Sequence, residues 1–192
     1  MEEVLQRKGL YIALVHYPVY DKGGNIVAAA ITSLDIHDIA RLARTYGAEG
    51  FYLVTPLASQ VELVRKILDH WTHGYGARYN PLRKEALRCV KTAGAIEEVV
   101  DDVREKRGGT PLLIATGARS RGCTTGYAEM REVMGNEQRP LVLLLGTGWG
   151  LAEEVIEAAD FRLAPIDGAD DYNHLSVRCA AAIMLDRLLV RV

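Results

Sequence analysis

The chain has 192 residues, of which 49% are hydrophobic and 25% are charged, and its formal net charge is −2. This composition suits a soluble globular protein with a full core, and it excludes a polycation that binds nucleic acid by charge alone. We expect neither secretion nor a membrane span, because the sequence shows no signal-peptide core and no apolar run of about 18 residues.

Short apolar runs alternate with longer amphipathic runs along the chain, a pattern that predicts an α/β fold with a mostly parallel sheet flanked by helices. The predicted strands are residues 10–16, 50–54, 88–92, 111–116, 140–145 and 160–164. The predicted helices are residues 35–46, 59–73, 95–106, 126–134, 151–158 and 174–190. Residues 21–25 are predicted as a turn and residues 26–31 as an extended segment. Because no repeat or linker divides the chain, residues 1–192 are predicted to form a single domain.

The three cysteines, Cys89, Cys123 and Cys179, are scattered and odd in number. Their spacing matches neither a disulfide framework nor a metal site, so we expect reduced thiols and no bound metal. This use of cysteine indicates a cytoplasmic protein.

Three polar, glycine-containing loops follow predicted strands in the C-terminal half of the chain, at residues 116–122, 146–150 and 165–174. Ligands of open parallel sheets bind beyond the carboxyl ends of the strands. In the second loop, the alternating Gly146, Gly148 and Gly150 would let backbone approach a ligand closely. If the loops are neighbours, they predict an adenosine-binding cleft, whereas tight turns without a ligand are the alternative.

The segment before the last helix is predicted to close this cleft, with Asn173 and Ser176 as candidate helix caps. The pair Gly146 and Gly148 also resembles the start of a dinucleotide-binding fingerprint. However, the third glycine of that fingerprint would fall at Leu151, and too little chain follows for the rest of such a fold. The apolar face of the last helix comprises Val177, Ala180, Ala181, Met184, Leu185 and Leu188.

Three ordered motifs resemble those of the SPOUT superfamily of RNA methyltransferases. They are the polar turn and helix of residues 32–47, the glycine loop of residues 145–151, and the closing segment of residues 172–186. The whole chain is similar to a bacterial subfamily of S-adenosylmethionine-dependent RNA methyltransferases, a domain sometimes fused to tRNA guanine methyltransferase. The resemblance implies a SPOUT-like fold with a C-terminal trefoil knot, a homodimer, and S-adenosylmethionine bound in the knot.

The resemblance also implies a set of cofactor-binding positions. Relatives that methylate ribose often carry Glu where this chain has Gly148 and Asn where it has His174, so the target atom stays open. The implied positions are Thr116, Gly117, Leu145, Gly146, Thr147, Gly148, Trp149, Gly150, Ile166, Tyr172, Asn173, His174, Leu175 and Ser176.

The helix of the first motif supplies the catalytic candidates, Asp35 and Arg41. Methyl transfer from a sulfonium is an in-line displacement that depends mainly on positioning, and a base is needed only where the acceptor loses a proton. Asp35 is either that base or the helix N-cap. Arg41 either holds a phosphate or a developing oxyanion, or is a solvated helix residue. His16 and His37 are further candidates for proton relay, with a structural role as the alternative.

Two basic stretches are candidate RNA contacts, with solvated surface charge as the alternative. The first contains Arg78, Arg83 and Lys84, and the second contains Arg119 and Arg121. We therefore expect a methyltransferase that acts on a base or ribose of tRNA or rRNA. A knotted RNA-binding or cofactor-sensing module without activity is the alternative, and a nucleotide-binding enzyme of Rossmann type is a weaker one.

Overall fold

The computed structural model describes residues 9–118, 122–170 and 172–189. Its strands are β1 (Leu10–Val15), β2 (Val19–Tyr20), β3 (Ile26–Val27), β4 (Gly50–Val54), β5 (Val90–Ala93), β6 (Leu112–Ala115), β7 (Leu141–Gly146) and β8 (Phe161–Arg162). Its helices are α1 (Ser33–Thr45), α2 (Ala58–Thr72), α3 (Tyr75–Tyr79), α4 (Pro81–Leu87), α5 (Ile96–Arg107), α6 (Tyr127–Asn136), α7 (Glu153–Ala158) and α8 (Val177–Leu189).

Six strands form one parallel sheet in the order β5-β4-β1-β7-β6-β8. The central strands are continuous apolar runs because both faces of the sheet are covered, and every residue of β1 and β4 is buried. Strands β2 and β3 form a separate antiparallel hairpin beside the sheet. The predicted α/β class, with a parallel sheet flanked by helices, is thereby confirmed.

Alternate side chains of β1 enter two different cores, as the period of a strand requires. Ile12 and Leu14 face the core that also contains Ile36 of α1 and Leu185 of α8. Tyr11, Ala13 and Val15 face the opposite core, which α5 and α7 cover. Helices α1 and α8 therefore lie on the same face of the sheet.

The helices differ from the predicted ones by one to three residues at their ends, and two helices were not predicted at all. Helix α1 begins at Ser33 with Thr32 as its N-cap, and α8 begins at Val177 rather than at residue 174. Two short helices, α3 and α4, occupy a stretch for which no element was predicted. Helix α4 is set by a local signal that periodicity does not show, because Asn80 caps it and Pro81 occupies its first turn. Within the described residues, no helix has the length and apolarity to cross a membrane.

Candidate functional site

The three polar loops leave the same edge of the sheet. Strands β7, β6 and β8 are consecutive neighbours and run parallel, so their carboxyl ends lie side by side. The loops that follow these strands therefore meet, as the adenosine-binding prediction requires. Sequence alone left this adjacency as a condition, because strand order is not visible in local patterns.

The loop after β6 begins with the buried Thr116, whose backbone N–H and side-chain hydroxyl both donate to the carbonyl of Leu144, at 3.2 and 2.9 Å. Gly117 follows and is half-buried. The carbonyl of Ala118 accepts a hydrogen bond from the Asn173 side chain at 2.8 Å. Asn173 therefore ties the first loop to the third, and it does not cap α8 as predicted. The RNA-binding candidates Arg119 and Arg121 lie outside the described residues.

The loop after β7 is held by the chain between β1 and β2. The backbone N–H and the hydroxyl of Thr147 donate to the carbonyl of Val15 at 3.3 and 2.9 Å. The backbone N–H of Trp149 donates to the carbonyl of Tyr20 at 2.9 Å, and the backbone N–H of Tyr20 donates to the carbonyl of Gly150. The loop thus has a fixed backbone, while the side chain of Trp149 stays 51% exposed.

The protein's own backbone leaves no room for a side chain at two glycines of this loop. Gly148 has φ +59°, and a Cβ there would lie 2.8 Å from the carbonyl oxygen of Tyr20. A Cβ on Gly146 would lie 2.8 Å from the backbone nitrogen of Leu151. A protein carbonyl therefore occupies the space on the Cβ side of Gly148, and the approach of this loop's backbone to a ligand stays a prediction. Gly150 differs, since a Cβ there would meet no atom within 4 Å.

The third loop runs from β8 to α8 and starts with the buried Ile166. The side chains of Tyr172 and Leu175 are exposed, and the ring of Tyr172 meets that of His174 with 5.2 Å between centroids. The hydroxyl of Ser176 accepts from the N–H of Cys179 at 3.3 Å. Of the two predicted caps of α8, Asn173 and Ser176, it is therefore Ser176 that caps the helix.

Asp35 lies beside this site, near the start of α1, and only 6% of it is exposed. The hydroxyl of Thr32 accepts from the Asp35 N–H at 3.2 Å and donates to its Oδ2 at 2.6 Å. The other carboxylate oxygen, Oδ1, accepts from Arg178 of α8 at 2.7 Å. Asp35 is therefore not the N-cap, since Thr32 has that role, and both its oxygens already accept hydrogen bonds.

Arg178 connects this carboxylate to the catalytic candidate Arg41. Its Nε lies 3.4 Å from Oδ2 of Asp38, and the other oxygen of Asp38 is 2.6 Å from the Arg41 guanidinium. The side chain of Arg41 is 56% exposed, so its guanidinium remains open to a ligand. The sequence motifs did not assign a role to Arg178. Its signal was a cation in the first turn of a helix whose next seven residues are uncharged.

His16 follows β1 and is fully buried. Within the described part of the chain, neither ring nitrogen makes a well-formed hydrogen bond. Burial lowers the pKa of His16 from 6.5 to about 4, and this outweighs the opposing effects of the Asp35 carboxylate and the backbone carbonyls of Ala29 and Ala30. His16 is therefore neutral at pH 7 and is shielded from any RNA acceptor.

This buried histidine predicts how stability depends on pH. Between pH 6.5 and 4 the unfolded chain binds a proton at His16 that the folded chain does not. The contribution of His16 to stability is therefore complete above pH 6.5 and is lost as the pH falls towards 4, by about 3 kcal/mol in total. Denaturant unfolding at a series of pH values should show this loss, and His16→Gln should reduce it. The exposed His73→Gln is the control, and identical pH profiles for all three proteins would contradict the assignment.

Arg78 lies on α3, and Arg83 and Lys84 lie on α4, which packs on α1 as α8 does. The guanidinium of Arg83 stacks over the ring of Trp71 at 4.5 Å. The ring of His37 meets the same tryptophan with 5.4 Å between centroids, and burial, followed by the charge of Arg83, lowers the pKa of His37. The structure thus places these cations next to α1, whereas it does not bring them to the three loops.

A family model described as SAM-dependent RNA methyltransferase matches residues 9–190 of the chain. The chain is 46% identical to a tRNA (guanine-N(1)-)-methyltransferase of Oleidesulfovibrio alaskensis over 182 residues, which are 95% of this chain and 42% of that protein. It is 38% identical to an uncharacterized protein of Aquifex aeolicus, over 98% of this chain and 92% of that one. The chain therefore spans less than half the length of the first of these relatives.

A comparison of folds points the same way. The SpoU methyltransferase AviRb from Streptomyces viridochromogenes, solved in complex with the cofactor AdoMet, matches with a TM-score of 0.55 and 17% identity. The match covers 96% of this chain and 60% of that one. At this identity the likeness concerns the fold. Together with the family model, it confirms the resemblance that the three sequence motifs indicated.

Proposed function

Since the chain belongs to the family of SAM-dependent RNA methyltransferases, we propose that it transfers a methyl group to a base or ribose of a tRNA or rRNA in the cytoplasm. The observation that carries this proposal is the meeting of three loops at one edge of the sheet. Loops beyond β6, β7 and β8 are neighbours, and the bond from Asn173 to Ala118 joins the first to the third. Such a cleft at the carboxyl ends of parallel strands suits a nucleoside ligand.

The cleft fits S-adenosylmethionine in its chemistry. Open space beside Gly150, exposed rings at Trp149 and Tyr172, and fixed backbone groups offer apolar contacts and hydrogen bonds to an adenosine. When bound, this cofactor supplies a methyl group on a positively charged sulfur. The residues that we propose to hold it are Thr116, Gly117, Leu145, Gly146, Thr147, Gly148, Trp149, Gly150, Ile166, Tyr172, Asn173, His174, Leu175 and Ser176.

Arg41 is the residue that we propose to contact the RNA at the reacting centre. Its guanidinium is half-exposed and stands beside Asp38, which Arg178 shares. It can hold a phosphate or a developing oxyanion through paired N–H groups. Both oxygens of Asp35 accept hydrogen bonds, so we propose that Asp35 acts on this centre by positioning Arg178. Two further groups of cations are proposed RNA contacts, namely Arg78, Arg83 and Lys84 on α3 and α4, and Arg119 and Arg121 in the loop after β6.

The finer architecture that we propose is a single domain with a C-terminal trefoil knot, assembled as a homodimer. Exposed apolar side chains beside the cleft support a second copy of the chain as partner. Leu34 is 59% exposed at the start of α1, and Leu175 is 46% exposed just before α8. Exposed apolar side chains are buried when a protein associates with a second copy of itself.

Light scattering at micromolar concentration should give twice the chain mass of 21.1 kDa. Leu34→Asp should then shift the protein towards the monomer, because a carboxylate in a desolvated interface has no partner. Leu63→Asp is the matched control, since Leu63 is 39% exposed on α2, away from the cleft. A monomer at all concentrations would contradict the homodimer.

An inactive RNA-binding or cofactor-sensing module is the second candidate. The observation that favours it is at Gly148, where the carbonyl of Tyr20 occupies the space of a side chain. A carboxylate base therefore has no room at this position. The inactive candidate predicts S-adenosylmethionine binding without methyl transfer.

The deciding experiment measures cofactor binding and methyl transfer with the same protein. Calorimetry should show binding of S-adenosylmethionine and no binding of NAD. Labelled methyl groups should then enter RNA isolated from a strain that lacks this protein, and mass spectrometry of its nucleosides would identify the product. Binding without incorporation would favour the inactive module, and binding of NAD alone would exclude both.

A further inference from the structure

Helix α3 carries two tyrosines that stack on each other in solvent. The rings of Tyr75 and Tyr79 have 5.9 Å between their centroids and an angle of 20° between their planes. Tyr75 is 67% exposed and Tyr79 is 73% exposed. They are four residues apart, so they lie on the same side of the helix. The pair therefore presents two largely exposed aromatic rings to the surroundings.

The inner side of α3 has no room for a large side chain. The buried side of α3 consists of Gly76 and Ala77, and a Cβ on Gly76 would lie 2.6 Å from the ring of Trp71. Small residues thus take the inner positions while large aromatic ones face outward. Burial of apolar area would favour the reverse. The exposed pair is consequently available for a partner.

The charge around the pair favours an anionic partner. Residues 70–88 contain the four cations Arg78, Arg83, Lys84 and Arg88, whereas Glu85 is their sole carboxylate. Glu85 is paired with Arg44 of α1. Over the described ranges, no carboxylate lies within ion-pair distance of Arg78, Lys84 or Arg88. This segment is therefore positive in a chain whose net charge is −2.

The aromatic pair is also continuous with the proposed catalytic surface. Helix α3 packs on Trp71, and Trp71 contacts His37 of α1 and Arg83 of α4. Helix α1 contacts both α4 and α8, and Arg178 of α8 pairs with Asp35 of α1. Packed helices have axes about 8–10 Å apart, so the axes of α4 and α8 are at most about 20 Å apart. One RNA strand can reach both.

We propose that Tyr75 and Tyr79 are a stacking platform for unpaired bases of the RNA substrate. The inference rests on the proposed function, and it narrows the substrate to an RNA with a single-stranded segment beside the target nucleotide. Every base has a π-face that can stack on tyrosine, while neighbouring cations hold the phosphates. A paired duplex hides its base faces and would use the cations alone.

The test compares binding of a labelled single-stranded RNA of mixed sequence with binding of the blunt duplex that it forms with its complement. The double variant Tyr75→Ala/Tyr79→Ala should bind the single strand at least about tenfold more weakly, since stacking contributes about 1–3 kcal/mol per base. Binding of the duplex should change by less than about twofold. Tyr75→Phe/Tyr79→Phe should keep the affinity, because the ring faces remain. Tyr75→Leu/Tyr79→Leu should lose it, because apolar area without a ring does not stack.

Three further results would overturn the platform. Equal losses for the single strand and the duplex would show a general charge or folding effect. Unchanged binding after removal of both rings would place the RNA elsewhere. A dimer that dissociates in the alanine variant would show that a second copy covers the pair. Calorimetry with S-adenosylmethionine tests the proposed function separately from the platform. Cofactor binding should be the same in every variant. Absence of cofactor binding in the unaltered protein would contradict the proposed function alone.

Discussion

Replacing Arg41 with alanine should lower the rate of methyl transfer by about 10²-fold or more and leave the affinity for S-adenosylmethionine nearly unchanged. This factor is the usual cost of removing one hydrogen-bond donor that is already positioned to stabilise the charge developing in the transition state. Arg41 lies on α1, whereas the proposed cofactor loops follow β6, β7 and β8. Cofactor affinity should therefore be unchanged. The ion pair of Arg41 with Asp38 is exposed and contributes little to folding. The assay follows labelled methyl incorporation into unmodified RNA, and calorimetry follows the cofactor.

Arg104→Ala is a matched control for this experiment. Arg104 forms an exposed pair with Asp101 three residues earlier, at the same 2.6 Å that separates Arg41 from Asp38. It lies on α5, on the opposite face of the sheet, and should keep full activity. Full activity in Arg41→Ala as well would show that the chemistry depends on another loop, such as the one that carries Arg119 or Asp170.

Replacing Gly148 with valine should abolish measurable binding of S-adenosylmethionine and lower the free energy of unfolding by about 2–4 kcal/mol. A residue other than glycine at φ +59° is strained by about 1–2 kcal/mol, and a β-branched one by more. The added side chain would also meet the carbonyl of Tyr20, which the same turn uses to hold Trp149. The loop must therefore leave its position. Calorimetry measures the first effect and denaturant unfolding the second.

Gly135→Ala is the control for glycine replacement in general. Gly135 lies in α6 with an ordinary helical backbone, and a Cβ there would meet no atom within 4 Å. Alanine should stabilise this helix by about 0.5–1 kcal/mol and leave cofactor binding unchanged. A folded Gly148→Val protein with normal affinity would place the cofactor away from the loop. An unchanged unfolding free energy would contradict the contact with Tyr20.

The first motif shows how much of the site could be predicted from the sequence. The polar turn and the helix that carries Asp35 and Arg41 were predicted correctly, apart from the first turn of α1. The N-cap was misplaced, because Thr32, Ser33 and Asp35 are all residue types that cap helices. The partner of Asp35 could not be predicted, since Arg178 lies 143 residues further along the chain. Pairing over such a distance leaves no trace in local patterns.

The surface formed by α3 and α4 shows a second limit. Its cations were visible in the sequence, while the helices themselves are too short to give a clear periodicity. A tyrosine in a short segment is expected to face the core about as readily as solvent. Its direction here follows from Gly76, which lies so close to Trp71 that only glycine fits. Packing between α2 and α3 therefore set the orientation.

By itself the sequence determined the alternation of strands and helices and the positions of the three glycine loops. Apolar periodicity and turn residues are local properties, so they can be recognised without knowledge of the fold. Only the tertiary structure decided that β7, β6 and β8 are neighbours, that Gly148 lies against Tyr20, and that Asp35 pairs with Arg178. Each of these facts joins segments that are distant in the chain, and such contacts are selected by the packing of the whole sheet and its helices.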